Sequence, residues 1–299
     1  MKFTTAEEYL KARKNIVDDA LDRYLPGEDN FPGVIFKSVR YSIFAGGKRI
    51  RPILCMASAE AVGGDRETAL HVACALEMIH TYSLIHDDLP VMDDDDYRRG
   101  KLTNHKIFGE DIAVLAGDAL LTEAFRLMSK RELAGCIPAD RFLTVISEVS
   151  EAAGFLGMVG GQVVDVKSEG KKVDEKTLNY IHAHKTGALI LASIRAGAII
   201  ACAGEYELAA LSEYGRHAGL AFQIADDILD IEGKRELLGK DTGSDRSRGK
   251  ATFPALFGLE ESRKMARELV GEALSDITML DDKAEPLRMI ARYIIERTV

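Results

Sequence analysis

Leu84-Ile85-His86-Asp87-Asp88-Leu89-Pro90-Val91-Met92-Asp93-Asp94-Asp95-Asp96 and its echo, Gln223-Ile224-Ala225-Asp226-Asp227-Ile228-Leu229-Asp230, decide how the rest of the chain is read. Six carboxylates fall within the ten residues from Asp87 to Asp96. Two unit charges about 4 Å apart repel by roughly 4 kcal/mol at an effective dielectric near 20, so a run this dense calls for a positive partner. Read alone, the run is also compatible with a solvated loop that makes its own salt bridges to Arg98 and Arg99. The echo narrows the choice, because its acids sit in an otherwise apolar segment where an unpaired carboxylate is costly to desolvate. At 3.6 residues per turn Gln223, Asp226, Asp227 and Asp230 share one stripe, with Phe222, Ile228, Leu229 and Ile231 around the remainder. That pattern is a buried helix with a polar seam.

Residues 68–88 carry helical spacing that puts Glu77, His80, Leu84 and Asp87 on one face. His80 reads either as a satisfied core histidine or as a ligand-facing one. Pro90 ends or kinks this helix and leaves Asp93 to Asp96 to curl round its end. Upstream, Ala45-Gly46-Gly47-Lys48-Arg49-Ile50-Arg51-Pro52 has two readings. Paired glycines followed by three cations in four positions can hold a phosphate at a helix mouth. A glycine-ended helix with a basic last turn fits the same letters. Downstream, His184-Lys185-Thr186-Gly187 enters a small, apolar stretch, where a lysine must snorkel to water or meet an anion.

Elsewhere helical spacing covers residues 5–24, 34–44, 53–62, 112–128, 142–149, 207–231 and 253–299. Thr5 and Glu8 form a capping-box signature, and breaks fall at Pro26–Gly33, Gly63–Asp65 and Gly135–Pro138. Small residues from Ala152 to Gly161 permit close packing before Gln162 and Asp165 bring in polar groups one turn apart. The polar, glycine-rich 232–252 segment, with Lys240 and Lys250, is either a lid or a disordered connection. No run of alternating strands stands out. The expected fold is all-α, one domain spanning residues 1–299, a helical bundle around a central cavity.

Composition sets outer limits. The chain has 299 residues, 46% of them apolar, with a net charge of −9 and pI near 5.4. That acidity argues against nonspecific nucleic-acid binding and suits a cytoplasmic chain. The N-terminus lacks a signal-peptide core, and the longest greasy run, Ala188 to Ala203, is interrupted by Arg195 and short for a bilayer span, so no integral membrane segment is expected. Cys55, Cys74, Cys136 and Cys202 stand singly among apolar neighbours and read as reduced core residues.

Oxygen-only clusters favour hard cations, and Mg²⁺ binds through one or two carboxylates plus phosphates and water. Two such clusters facing each other, with Lys48, Arg51, Arg98, Arg99, Lys185, Lys240 and Lys250 in loops or at helix ends, suit a ligand with a polyanionic head. Apolar helix faces between them suit a greasy tail. In this ordered set, from Gly46-Gly47-Lys48-Arg49-Ile50-Arg51-Pro52 through Arg98-Arg99-Gly100 and Lys185-Thr186-Gly187 to Lys250-Ala251-Thr252-Phe253-Pro254, the chain resembles the short-chain trans-polyprenyl diphosphate synthases. It is most similar to the bacterial farnesyl diphosphate synthases, and the likeness covers nearly the whole chain.

The resemblance implies an isoprenoid-synthase-type bundle and head-to-tail condensation of isopentenyl diphosphate with dimethylallyl and then geranyl diphosphate. It implies several Mg²⁺ ions, with Mn²⁺ as a possible substitute, held by Asp87, Asp93 and Asp226 and supported by Asp88, Asp227 and Asp230. It assigns Arg98, Lys185, Lys240 and Lys250 to the allylic diphosphate, and Lys48, Arg51, His80 and Arg99 to isopentenyl diphosphate. Thr186 and Gln223 are implied to stabilise the allylic cation. Tyr82 and Ser83, five and four residues before Asp87, are implied to set chain length. A tyrosine there resembles the fifteen-carbon producers, although helix geometry puts Tyr82 about 140° round from Asp87. Relatives are commonly homodimers. A ten- or twenty-carbon main product and a class I terpene cyclase are the alternatives, but a cyclase leaves the basic set at Lys48 and Arg51 without a task. A noncatalytic partner subunit would lose aspartates that are intact here, and no twelve-residue EF-hand pattern is present.

Overall fold

The structure is a computed structural model that describes residues 3–130, 137–232 and 250–296. Lys240, Gly135, Cys136 and the 233–249 portion of the proposed lid lie outside the described residues. The chain opens with α1 (Ala6–Tyr24), where the Thr5 hydroxyl accepts from the Glu8 N–H at 3.2 Å and the Glu8 carboxylate accepts from the Thr4 N–H at 3.1 Å. The Thr5 bond satisfies a first-turn donor as the signature requires, while the reciprocal bond reaches Thr4, one residue before the cap, instead of Thr5 itself. Next come α2 (Gly33–Ile43), α3 (Ile50–Ala61) and α4 (Arg66–Asp87). α3 starts three residues earlier than its apolar spacing predicts, because Pro52 is tolerated in a first turn that needs no N–H partner.

The hairpin strands β1 (Tyr97–Arg98) and β2 (Lys101–Leu102) pair antiparallel, and at two residues each they leave the all-α architecture as expected. Arg99 (φ 54°) and Gly100 (φ 76°) are both left-handed, the geometry of a two-residue hairpin turn, and strands this short carry no alternating signature. The chain continues with α5 (Asn104–Phe108), α6 (Glu110–Met128), α7 (Ala139–Ala153), α8 (Met158–Ser168) and α9 (Glu175–Ile181). A six-residue π-turn, His182–Gly187, then leads into α10 (Ala188–Ile200) and α11 (Glu205–Glu232). After the gap stand α12 (Phe253–Phe257), α13 (Leu259–Asp276), a 3₁₀ turn (Asp282–Ala284) and α14 (Glu285–Glu296).

α4 and α10 bury side chains on nearly every side, as central helices must. α3 packs on both, α6 covers α4, α7 and α11 cover α10, and α13 lies along α11. Arg195, the charge in the greasy run, donates to both Glu148 oxygens (2.7 and 2.6 Å) and to Ser212 (2.6 Å), tying α7, α10 and α11 together. Cys55 and Cys74 are buried as expected, but Cys202 is exposed at a turn where it takes φ 60°. Its apolar neighbours Ile199 and Ile200 are buried because α10 ends there and the chain turns outward. Among the described residues one stretch, Ala139–Ser168, is apolar and long enough by composition to cross a membrane. Turns between Ala153 and Met158 divide it into α7 and α8.

Candidate active site

The two acidic motifs open onto one cleft, lined by Leu84, Asp87, Asp93, Asp95, Arg98, Asp165, His182, Lys185, Thr186, Gln223, Asp227 and Lys250 among others. α4 delivers Asp87 at its last turn. The loop after it folds back so that the Asp93 N–H donates to the Asp87 carbonyl at 2.8 Å, and Asp94 takes φ 50° to complete the curl. α11 delivers Gln223 and Asp227 from the opposite side. The shared hollow expected from the two motifs is therefore present.

The cations are placed against carboxylates. Arg98 Nε donates to Asp88 at 2.6 Å and Nη2 reaches Asp95 at 3.4 Å. Lys185 Nζ donates to Asp165 at 2.6 Å, and Lys250 Nζ lies 3.2 Å from both oxygens of Asp93. Burial raises the Asp87 pKa, with Lys185 opposing and Asp93 reinforcing the rise. Burial likewise pushes Asp88 up to about 6, against the Arg98 hydrogen bond. For Lys185 burial favours the neutral amine, but Asp165 and Asp87 outweigh it and raise the pKa.

Gln162 and Asp165, which the sequence reading gave no role, also reach the cleft, through Asp87 and Lys185. Gln162 Nε2 donates to Asp87 Oδ1 at 2.9 Å, while its Oε1 is buried with no donor among the described residues. Their signal was a polar pair one turn apart following a run of small residues. The run explains how α8 comes close enough: a Cβ on Gly161 would lie 2.7 Å from Lys185 Cα and nearer still to Lys185 N. Only a glycine lets α8 press on the π-turn.

The basic loop before α3 brings Arg51 within charge range of Asp226 and Arg99. Lys48 is exposed and Arg49 is buried in a left-handed conformation (φ 55°). Arg49 is fully used by the fold, donating to Asp18 (2.8 Å), Glu77 (2.6 Å) and the Ile43 carbonyl (2.6 Å). Arg51 differs: its Nε is buried without a hydrogen-bond partner. Burial lowers its pKa, offset by the nearby charges of Glu77 and Asp226, while Arg99 adds to the lowering. Arg99 donates to the Gly46 carbonyl, and Gly47 (φ 121°) leaves room for its guanidinium, which a Cβ would meet at 2.6 Å. His80 belongs to this basic group; burial, then Arg51, Arg99 and Arg98, keep it neutral well below the usual histidine range. Both alternatives for the glycine–lysine loop thus resolve toward a helix mouth, since α2 has already ended at Ile43.

Asp227 is held by Gln223 Nε2 (2.9 Å) and by the Phe253 N–H (3.0 Å), and Asp230 is buried one turn on. Asp226 is half-buried on the Arg51 side. Burial drops the His182 pKa to about 4. Tyr82 is buried and edge-on to His86 (centroids 5.7 Å), whose Nε2 lies 3.1 Å from the Val114 carbonyl of α6. Tyr82 therefore occupies the α4–α6 seam, as its helical angle required, and burial, then Asp87, raise its pKa. Ser83 donates to the His80 carbonyl at 2.9 Å.

Among the described residues no three or more His, Cys, Asp or Glu side chains converge on one metal-sized point. The acids come in ones and twos, which suits an ion shared between protein and a phosphate-bearing ligand. The exclusively oxygen donor set, and the buried Gln162 Oε1 beside Asp87, fit a hard divalent cation and its water.

The family model described as polyprenyl synthetase matches residues 32–287. A geranylgeranyl diphosphate synthase of Cyanophora paradoxa is 52% identical over 97% of this chain and 95% of its own length. A farnesyl diphosphate synthase of Geobacillus stearothermophilus is 50% identical over 98% of each chain. The crystal structure of a FPP/GFPP synthase from Zymomonas mobilis superposes with a TM-score of 0.86 at 38% identity, covering 97% of this chain and 98% of that one.

Proposed function

The chain belongs to the polyprenyl synthetase family, and from that premise we propose that it condenses isopentenyl diphosphate with dimethylallyl and then geranyl diphosphate, releasing mainly farnesyl diphosphate. The observation that carries this reading is a cleft walled by both acidic motifs, with Arg51, whose buried Nε has no hydrogen-bond partner among the described residues, within charge range of Asp226. The acidic, cation-lined cleft, together with the charge-coupled group of Arg51, Arg99 and His80, suits two diphosphate substrates.

In this reading Asp87, Asp93 and Asp226 would hold Mg²⁺, with Asp88, Asp227 and Asp230 supporting them from their buried or hydrogen-bonded positions. Bound Mg²⁺ would stabilise charge on the departing diphosphate. Arg98, Lys185 and Lys250, joined by Lys240 from outside the described residues, exchange their carboxylate partners in part for the allylic diphosphate. Lys48, Arg51, Arg99 and neutral His80 hold the isopentenyl diphosphate. The allylic carbon–oxygen bond breaks, and the Thr186 and Gln223 oxygens face the delocalised cation as fixed dipoles. Because Gln223 spends its N–H on Asp227, its Oε1 is the group left for that task. The isopentenyl double bond attacks, and its proton goes to the released diphosphate, so no protein base is required.

Chain length rests on Tyr82, a bulky group at the position that supports a fifteen-carbon stop. A twenty-carbon product is the reading favoured by the Cyanophora relative. A cytoplasmic homodimer completes the proposal. The buried thiols of Cys55 and Cys74 suit a reducing compartment, and Val159, Val163 and Val166 expose an apolar stripe along α8 that a second copy would cover. The test is product chromatography after incubation with Mg²⁺, isopentenyl diphosphate and each allylic primer in turn. Farnesyl diphosphate as the main product supports the reading. Hydrocarbon released from geranyl diphosphate alone would mark a cyclase, and a twenty-carbon main product would overturn the assignment to Tyr82.

A further inference from the structure

Phe253 begins α12 at 0% exposure, and its backbone N–H donates to Asp227 Oδ2 at 3.0 Å. Its ring stacks on His182, with centroids 5.1 Å apart and planes inclined by 26°. His182 Nε2 in turn lies 3.5 Å from that same Asp227 oxygen. The opposite oxygen of Asp227 accepts from Gln223. The carboxylate is thus hydrogen-bonded from α11 and from the start of α12, while the neutral His182 ring of the π-turn packs beside it through its stack on Phe253. Three residues before Phe253, Lys250 spans to both oxygens of Asp93. The short segment from Lys250 to Phe253 therefore has one end on the second acidic motif and the other on the first. A π-turn is rare and concentrates at functional sites, and this one puts His182, Lys185 and Thr186 together on the cleft wall.

We propose that His182 and Phe253 form a clasp that fixes Asp227 and holds the Lys250–Phe253 segment across the cleft, making His182 a positioning residue for the allylic-diphosphate half of the site. The inference rests on the function proposed above for the identity of that half. Among the described residues neither His182 nor Phe253 bonds to Arg51 or Arg99, whose hydrogen bonds and charge partners lie at Gly46, Glu77 and Asp226, so the isopentenyl half is insulated from the clasp. Groups that orient a binding carboxylate without meeting the ligand typically change affinity or activity by about 10–100-fold when removed.

The test uses the full chain and inorganic pyrophosphate with Mg²⁺ as probe. In His182→Ala, calorimetry should show pyrophosphate binding weakened by about tenfold or more, with a parallel rise in KM for geranyl diphosphate. KM for isopentenyl diphosphate should stay within about twofold, because distant sites are nearly independent. The Phe253 amide should exchange faster with solvent than in wild type. Phe253→Leu, which removes the stack and keeps an apolar side chain, should give the same split and carries the test if His182→Ala does not fold. Unchanged pyrophosphate affinity, or equal rises in both KM values, overturns the clasp. Absence of condensation by the wild-type protein would instead overturn the proposed function, while pyrophosphate affinity and amide exchange would still decide the clasp.

Discussion

Gly161→Ala is the sharpest perturbation of the site that touches no assigned ligand. An added Cβ would stand 2.7 Å from Lys185 Cα and 2.9 Å from the His184 carbonyl carbon. The Lys185 amide nitrogen would be nearer still, and an ordinary contact begins at 3.4 Å, so α8 and the π-turn must part by about 1 Å or more. All three neighbours are backbone, so no side chain can swing aside. The separation pulls on the Lys185–Asp165 bond (2.6 Å), which crosses the gap, and shifts Gln162 on α8 against its partner Asp87 on α4 (2.9 Å). Overpacking of this kind costs about 1–3 kcal/mol of stability. Misplacing a binding group by about 1 Å costs up to roughly 10²-fold in rate, so a loss of about 10- to 100-fold in kcat is expected here. Steady-state condensation assays on protein shown by thermal melting to be folded give the answer. Near-native kcat in a folded Gly161→Ala protein would refute the claim that close approach of α8 sets the Lys185 and Gln162 geometry.

Asp87→Ala and Asp226→Ala should each lower turnover by roughly 10³-fold or more while circular dichroism stays helical; near-native turnover in either removes it from the metal-binding set. Tyr82→Ala should shift products toward twenty carbons by chromatography, and an unchanged profile would clear Tyr82 of the stop role. His71, remote from the cleft and stacked on Phe142 (5.5 Å), has its pKa lowered by burial from 6.5 to about 4. Its folded pKa lies below the unfolded one, so its contribution is fully present above pH 6.5 and is lost as pH falls toward 4. The loss amounts to at most about 3 kcal/mol. Urea unfolding of His71→Gln at pH 7 and 4.5 should show a shallower drop than wild type, and equal drops would contradict the assignment.

Helical spacing, the capping box at Thr5 and Glu8, and the polar seam of α11 are local properties, so the all-α architecture was legible in the chain itself. The same holds for the two aspartate motifs, because six acids in ten residues, or three in an apolar helix, are anomalous without any three-dimensional knowledge. The hairpin at Tyr97–Leu102 was missed because two-residue strands have no period to detect. Cys202 was misread as core because composition does not reveal where a helix ends.

What the sequence could not contain is which charge meets which. Arg49 and Arg51 sit two residues apart in the same basic loop, yet Arg49 is locked to Asp18 and Glu77 while Arg51 keeps a buried donor without a partner. That division depends on α1 and α4 converging on one side of the loop only. Gln162, Asp165 and His182 acquire their places in the same way, through contacts 20 to 75 residues apart along the chain, at Lys185–Asp165 and Gln162–Asp87. Spacing along a helix fixes which residues share a face. Only packing decides what that face meets, because a buried charge or donor takes its role from the partner brought to it.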